Sequence, residues 1–134
     1  NLIYHAGKIN SQMPSWIINK TLKENKIKKA LILGVAYKKN VDDMRESPAL
    51  DFIKILRKKK IKVDYHDPYI KFLKTRKIKR VMKSVNINTL DRYDIVYLVT
   101  DHDAFNYNLI KKKAKLIVDT RNVYKLKTKK ILKL

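Results

Sequence analysis

Apolar positions along the chain change period several times, and each change marks an element. Leu2, Ile3, Ala6, Ile9, Met13, Trp16, Ile17 and Leu22 recur at mostly helical spacing, so residues 2–24 read as helical. Pro14 falls inside that stretch, where it either kinks one helix or separates two, with Ser11 a candidate cap for the second. After the polar link 23–29 the pattern turns continuous. The run ALILGVAY, Ala30 to Tyr37, is what a parallel strand buried on both faces requires. Ser47 and Pro48 supply a cap and a first-turn proline for a helix through Phe52, Ile53 and Leu56, ending near the basic cluster at Lys60. Ile61 to His66 reads as a second strand, stopped by Asp67 and Pro68. A basic helix over residues 71–80 and a short strand near Val81 to Val85 come next. Tyr93 to Thr100 is another buried strand, followed by a helix from about Ala104 to Lys112 and a strand from Lys115 to Asp119. Residues 124–134 read as an edge strand or a tail.

Strands alternating with helices predict an α/β fold: an open, mainly parallel, Rossmann-like sheet with helices on both faces, preceded by an N-terminal helical segment. In such a sheet ligands sit beyond the carboxyl ends of the strands. The residues placed there are Tyr37, Lys38 and Lys39 after the first strand, Asp67 after the second, Asp101 and His102 after the third, and Asp119 and Arg121 after the last. A lysine gives a compact charge and an arginine a planar fork, a pairing suited to a phosphorylated ligand.

Composition narrows the chemistry. The chain has 134 residues, enough for one ordinary domain, and no cysteine, which removes disulfides, thiolate metal sites and a thiol nucleophile. Only Gly7 and Gly34 are present, so the G-x-G-x-x-G turn of a dinucleotide site cannot be built. The architecture is there without the fingerprint, which favours a mononucleotide or nucleotide-sugar ligand held by side chains. His5, His66 and His102 lack the spacing of a metal site and read as structural or solvent-facing. Asp42, Asp43 and Glu46 read as partners of nearby lysines or Arg45 rather than as acid and base. The net charge is +21, but the lysines fall in separate clusters along the chain and accompany many Ile and Asn residues, as in an AT-rich coding sequence. A solvated surface is expected, not a nucleic-acid footprint. No apolar run reaches the roughly 18 to 20 residues of a membrane span, and no signal peptide is visible, so a soluble, cytoplasmic protein is expected. The chain begins at Asn1, part-way into an amphipathic segment, and is expected to be part of a longer polypeptide.

The segment GVAYKKNVDDMRESPALDF, Gly34 to Phe52, and VDYHDPY, Val63 to Tyr69, resemble the C-terminal domain of the UDP-glucose/GDP-mannose dehydrogenase family. KINSQMP (8–14), TDHDAF (100–105) and VDTRN (118–122) agree in the same order, and the wording at NVDDMRESPAL is most like the branch acting on UDP-N-acetylglucosamine or UDP-N-acetylmannosamine. The resemblance implies that residues 1–24 end a central helical dimerisation region and residues 25–134 form the UDP-sugar-binding domain. It implies an NAD-dependent oxidoreductase of polysaccharide biosynthesis that oxidises the sugar C6 alcohol to a uronate, as a homodimer whose NAD-binding domain belongs to the same polypeptide. Tyr37, Lys38 and Arg121 match substrate contacts, and Arg45 matches a position reaching toward the cofactor across the domain interface. The family's cysteine nucleophile and glycine-rich turn are absent here, so these residues alone are not expected to catalyse. Lys8 and Asn10 precede no such cysteine and carry no catalytic role. A stand-alone nucleotide-binding or regulatory module is the alternative, and a basic nucleic-acid-binding domain a third, marked by affinity that falls steeply with salt.

Overall fold

The computed structural model describes residues 12–133 and, of the preceding segment, the backbone of Tyr4–His5 (β1) and Lys8–Ile9 (β2). These two short strands pair antiparallel, so the helix expected from residue 2 starts only at Met13. That helix, α1, runs Met13–Glu24 with Gln12 at its N-cap position and Pro14 in its first turn. The proline explains the start, because its missing N–H costs nothing in a first turn but would break a helix arriving from upstream. Ser11, the expected cap, and the side chain of His5 lie outside the described residues.

The remaining elements are β3 (Lys29–Leu33), α2 (Pro48–Lys58), β4 (Lys62–His66), β5 (Phe72–Leu73), β6 (Met82–Lys83), a 3-10 helix (Ile87–Arg92), β7 (Ile95–Leu98), α3 (Tyr107–Lys113), β8 (Ile117–Asp119) and β9 (Ile131–Lys133). The main sheet has the order β4-β3-β7-β8-β9, and every pair in it is parallel. The final lysine-rich stretch therefore ends in an edge strand. The basic helix expected over residues 71–80 is absent: β5 and β6 form an antiparallel hairpin there. Leu73 and Ile78 are five residues apart and cannot share a helical face, whereas the hairpin arrangement buries both.

Burial on both faces of the sheet follows from the unbroken apolar runs of β3 and β7. Ala30, Ile32 and Tyr97 face α1 and α2, packing with Ile17, Ile18, Phe52 and Ile53. Leu31, Leu33, Val96 and Leu98 face the 3-10 helix and α3 through Leu90 and Ile110. Helix α1 is fastened to the same core by the buried hydroxyl pair Thr21 and Tyr97, 2.7 Å apart. Arg57 and Lys58 end α2 and Lys111 to Lys113 end α3, where cations complement the helix dipole. Folding brings two of the lysine clusters together, since Lys130 Nζ donates to the Lys112 carbonyl at 3.1 Å.

Two residues set the exit from β3. Gly34 has φ +84°, and a Cβ built on it would lie 2.5 Å from both Cβ and carbonyl O of Thr100. Ser47 caps α2 through its Oγ, which accepts from the Ala49 N–H at 3.2 Å while its own hydroxyl donates to Ala36 O at 3.3 Å. Gly34→Ala is expected to cost about 3 kcal/mol or more, from left-handed strain and the backbone clash. Ser47→Ala should cost about 1 kcal/mol as a lost cap. Urea unfolding of the two variants beside the wild type measures both, and a Gly34→Ala cost no larger than that of Ser47→Ala would contradict the packing.

Candidate functional site

Strand β3 feeds α2 and β4 on one side, while β7 lies on its other side, so the order in which strands are added reverses between β3 and β7. A crevice for ligand opens beyond the carboxyl ends of two such strands. The loops that leave β3, β4, β7 and β8 meet at this edge, and buried polar groups tie them together.

Asp67, just after β4, is the first tie. Its carboxylate accepts from Val35 N–H at 2.8 Å, from Tyr69 N–H at 2.8 Å and from His102 Nε2 at 2.9 Å. Both side chains of the Asp67–His102 pair are wholly inaccessible to solvent. Burial by itself raises the Asp67 carboxyl, but the hydrogen bonds from His102, Val35 and Tyr69 outweigh it and hold the group below the usual aspartate range. His102 is the second tie. Its Nδ1 accepts from the Asn40 N–H at 2.7 Å, which places the ring proton on Nε2, facing Asp67. Asn40 has φ +63° and exchanges two more bonds with Asp103: its Nδ2 donates to Asp103 Oδ2 at 2.7 Å and its Oδ1 accepts from Asp103 N–H at 2.8 Å. The loop after β3 is thereby fixed to the loop after β7.

Tyr37 and Lys38 stand on the anchored segment. Tyr37 N–H donates to Asp43 O at 2.6 Å, closing the loop, while the Tyr37 side chain is 54% exposed and Lys38 is exposed. A cavity of about 330 Å³ lined by Tyr37, Asp43, Arg45 and Glu46 opens beside them. Arg45 is 86% exposed and forks onto Asp43, with Nε 3.1 Å from Oδ1 and Nη2 3.0 Å from Oδ2. The hydrogen bonds from Arg45 draw the Asp43 carboxyl below its ordinary range, and Asp43 raises the guanidinium in return. Of the acidic run, Asp43 is thus the partner of Arg45.

Arg121 sits on the turn after β8. Asp119, buried at the end of that strand, accepts from Arg121 N–H at 3.0 Å and Tyr124 N–H at 2.8 Å, and Asn122 adopts φ +59°. The Arg121 Nε reaches Asp101 Oδ1, after β7, at 3.3 Å. A run of tyrosines joins this turn to His102: Tyr124 OH donates to Tyr107 O at 2.7 Å, and Tyr107 OH to His102 O at 2.6 Å. His66 is part of the scaffold as well, with Nδ1 2.7 Å from Val85 O.

Sequence reasoning placed Tyr37, Lys38, Asp67, Asp101, His102 and Arg121 at one edge, and the fold puts the loops carrying them side by side. It missed Asn40 and the pairing of Asp67 with His102. An asparagine following two lysines in a loop is the local signal for the left-handed backbone that Asn40 adopts. The pairing crosses four elements and has no local signal at all. A dinucleotide does not fit at the turn after β3, because the space beside Gly34 is filled by Thr100 and α2 does not begin until Pro48. Among the described residues no cluster of three or more His, Cys, Asp or Glu could hold a metal, and no helix is long and apolar enough to cross a membrane.

An open parallel sheet, with the loops after β3, β4, β7 and β8 bonded to one another at its carboxyl edge, defines a Rossmann-like domain. The chain belongs to the UDP-glucose/GDP-mannose dehydrogenase family: the family's UDP-binding-domain model matches residues 31–126. A UDP-N-acetyl-D-mannosamine dehydrogenase of Pyrococcus horikoshii is 32% identical over 92% of this chain, and an NDP-N-acetyl-D-galactosaminuronic acid dehydrogenase of Ralstonia nicotianae 27% over 94%. Similar solved structures include the UDP-N-acetyl-mannosamine dehydrogenase of S. aureus, with TM-score 0.65 and 27% identity over 92% of this chain, and the Pyrococcus horikoshii enzyme, with TM-score 0.64 and 30% identity over 86%. The chain spans about 30% of the length of these relatives.

Asp67 makes stability depend on acid. Its folded-state affinity for a proton is depressed, so its contribution is complete above the ordinary aspartate value of 3.8 and is lost as pH falls below that toward the lower folded value. Wild type should therefore lose stability relative to Asp67→Asn on acidification below pH 3.8, as read from urea unfolding midpoints. A difference between the two proteins that stays constant across that range would refute the ionised, hydrogen-bonded state of Asp67.

Proposed function

We propose that this chain is the UDP-sugar-binding portion of an NAD-dependent nucleotide-sugar 6-dehydrogenase. The enzyme oxidises the C6 alcohol of a UDP-N-acetylhexosamine to the uronate, in the cytoplasm, for polysaccharide synthesis. The observation that carries this reading is that the loop of Lys38 after β3 and the turn of Arg121 after β8 are both bonded to the loop after β7, through His102 and Asp101. Lys38 and Arg121 meet the phosphates, and Tyr37 lies against the nucleotide or sugar. Positioning the non-reacting UDP part is what brings C6 to the oxidant, so these side chains act on rate as well as affinity.

NAD belongs to a domain outside these residues, consistent with a chain that covers about 30% of its relatives. Arg45 is the group of this chain that reaches toward the cofactor side, exchanging Asp43 for a partner across a domain interface. Residues 1–24 are the end of a central helical region that makes the homodimer, and α1 carries that region onto the sheet core through Thr21 and Tyr97.

Titration calorimetry of this chain with UDP tests the reading. Saturable binding that persists at moderate salt is expected, whereas steeply salt-sensitive binding of DNA without competition by UDP would sink it. A charge-assisted hydrogen bond is worth roughly 1.5 to 3 kcal/mol, so Arg121→Ala and Lys38→Ala should each weaken UDP binding about ten- to a hundredfold while leaving the melting temperature unchanged. Wild-type affinity in either variant removes that residue from the site.

A further inference from the structure

The Asp67–His102–Asn40 chain has a directionality that its burial makes strict. His102 is fully enclosed, with the Tyr69 ring 4.8 Å away and the Phe105 ring 5.4 Å away, centroid to centroid, both edge-on. Each ring nitrogen has one partner, and the partners demand opposite roles. Nε2 must donate, because Asp67 Oδ2 can only accept; Nδ1 must accept, because the Asn40 backbone N–H can only donate. The same residue carries the Tyr107 hydroxyl on its carbonyl, which links it to the turn of Arg121 through Tyr124. Among the described residues, His102 is bonded to both halves of the edge: the loop bearing Tyr37 and Lys38, and the tyrosine run leading to Arg121.

We propose that His102 is a positioning residue for the nucleotide: its Nδ1 lone pair holds the Asn40 backbone, and with it the Tyr37–Lys38 segment, in the ligand-binding arrangement. The inference rests on the reading of this edge as the UDP site. His102 touches no ligand itself. Its effect is to remove the ordering cost that the loop would otherwise meet on binding, since a loop already fixed in its bound form loses less conformational freedom.

Two conservative replacements separate the roles of the two nitrogens. In His102→Asn the side-chain oxygen falls near the Nδ1 position, so the acceptor for Asn40 is kept while the donor to Asp67 is lost. In His102→Gln the terminal amide reaches the Nε2 position, so the donor to Asp67 is kept and the acceptor for Asn40 is lost. Asp67 retains the N–H groups of Val35 and Tyr69 in both. UDP affinity by calorimetry, amide hydrogen exchange at Asn40 and thermal melting are measured on wild type and both variants. The expected result is a UDP affinity about tenfold weaker in His102→Gln, with faster exchange at Asn40, and an affinity within about twofold of wild type in His102→Asn even if that variant melts lower. Equal affinity in all three proteins, or an equal loss in both variants, overturns the proposal. If wild type binds no UDP, the UDP reading fails by itself. Exchange at Asn40 then decides the anchoring: acceleration confined to His102→Gln sustains it, and equal exchange in the two variants overturns it.

Discussion

A carboxylate removed from water is stable only when donors surround it, and Asp67 gathers three from three parts of the chain: the turn after β3, its own turn, and His102 after β7. Breaking one bond leaves the others to hold a buried charge, so the arrangement acts as a unit. That is why the loops at the carboxyl edge have defined places although they contain little regular structure. Asn40 extends the unit by three more hydrogen bonds, and the exposed Tyr37 and Lys38 inherit their position from it.

The same edge relies on close approach as well as polarity. Gly34 admits Thr100 to a distance no side chain would permit, and the Thr100 hydroxyl then donates to Ala36 O at 2.8 Å, beside the bond from Ser47. One carbonyl thus receives donors from the end of β7 and from the cap of α2. In a dinucleotide fold the glycine after the first strand leaves room for a pyrophosphate. Here that room is taken by Thr100, and the exposed side chains of the edge stand further out on longer loops.

Much of the fold was legible because it is written in runs. ALILGVAY and YDIVYLVT are too continuously apolar for a half-exposed strand, and Ser47-Pro48 is a cap that the structure realises through Ala49 N–H. Legibility failed where local pattern and tertiary context diverged. Residues 2–9 carry helical spacing but precede Pro14, which suits a first turn, and residues 71–80 hold too few apolar side chains on any one helical face. Members of the site could be placed at an edge, since strand ends are local features. The bonds joining Asp67 to His102 and Asn40 to Asp103 span 35 and 63 residues, and no spacing rule reaches that far.

The all-parallel sheet also dictates an order of assembly. Ala30 pairs with Val63 on one side and with Ile95 on the other, so β3 gains each neighbour only when a long connection has closed on that flank. The entropy of those closures is spent before most of the contacts that offset it exist, which slows a parallel topology relative to hairpins. The carboxyl-edge network joins loops from β3, β4 and β7, and so it depends on the register of all three. The order of the edge loops is therefore tied to the slowest pairings of the sheet, in the part of the molecule whose placement depends on the most distant contacts.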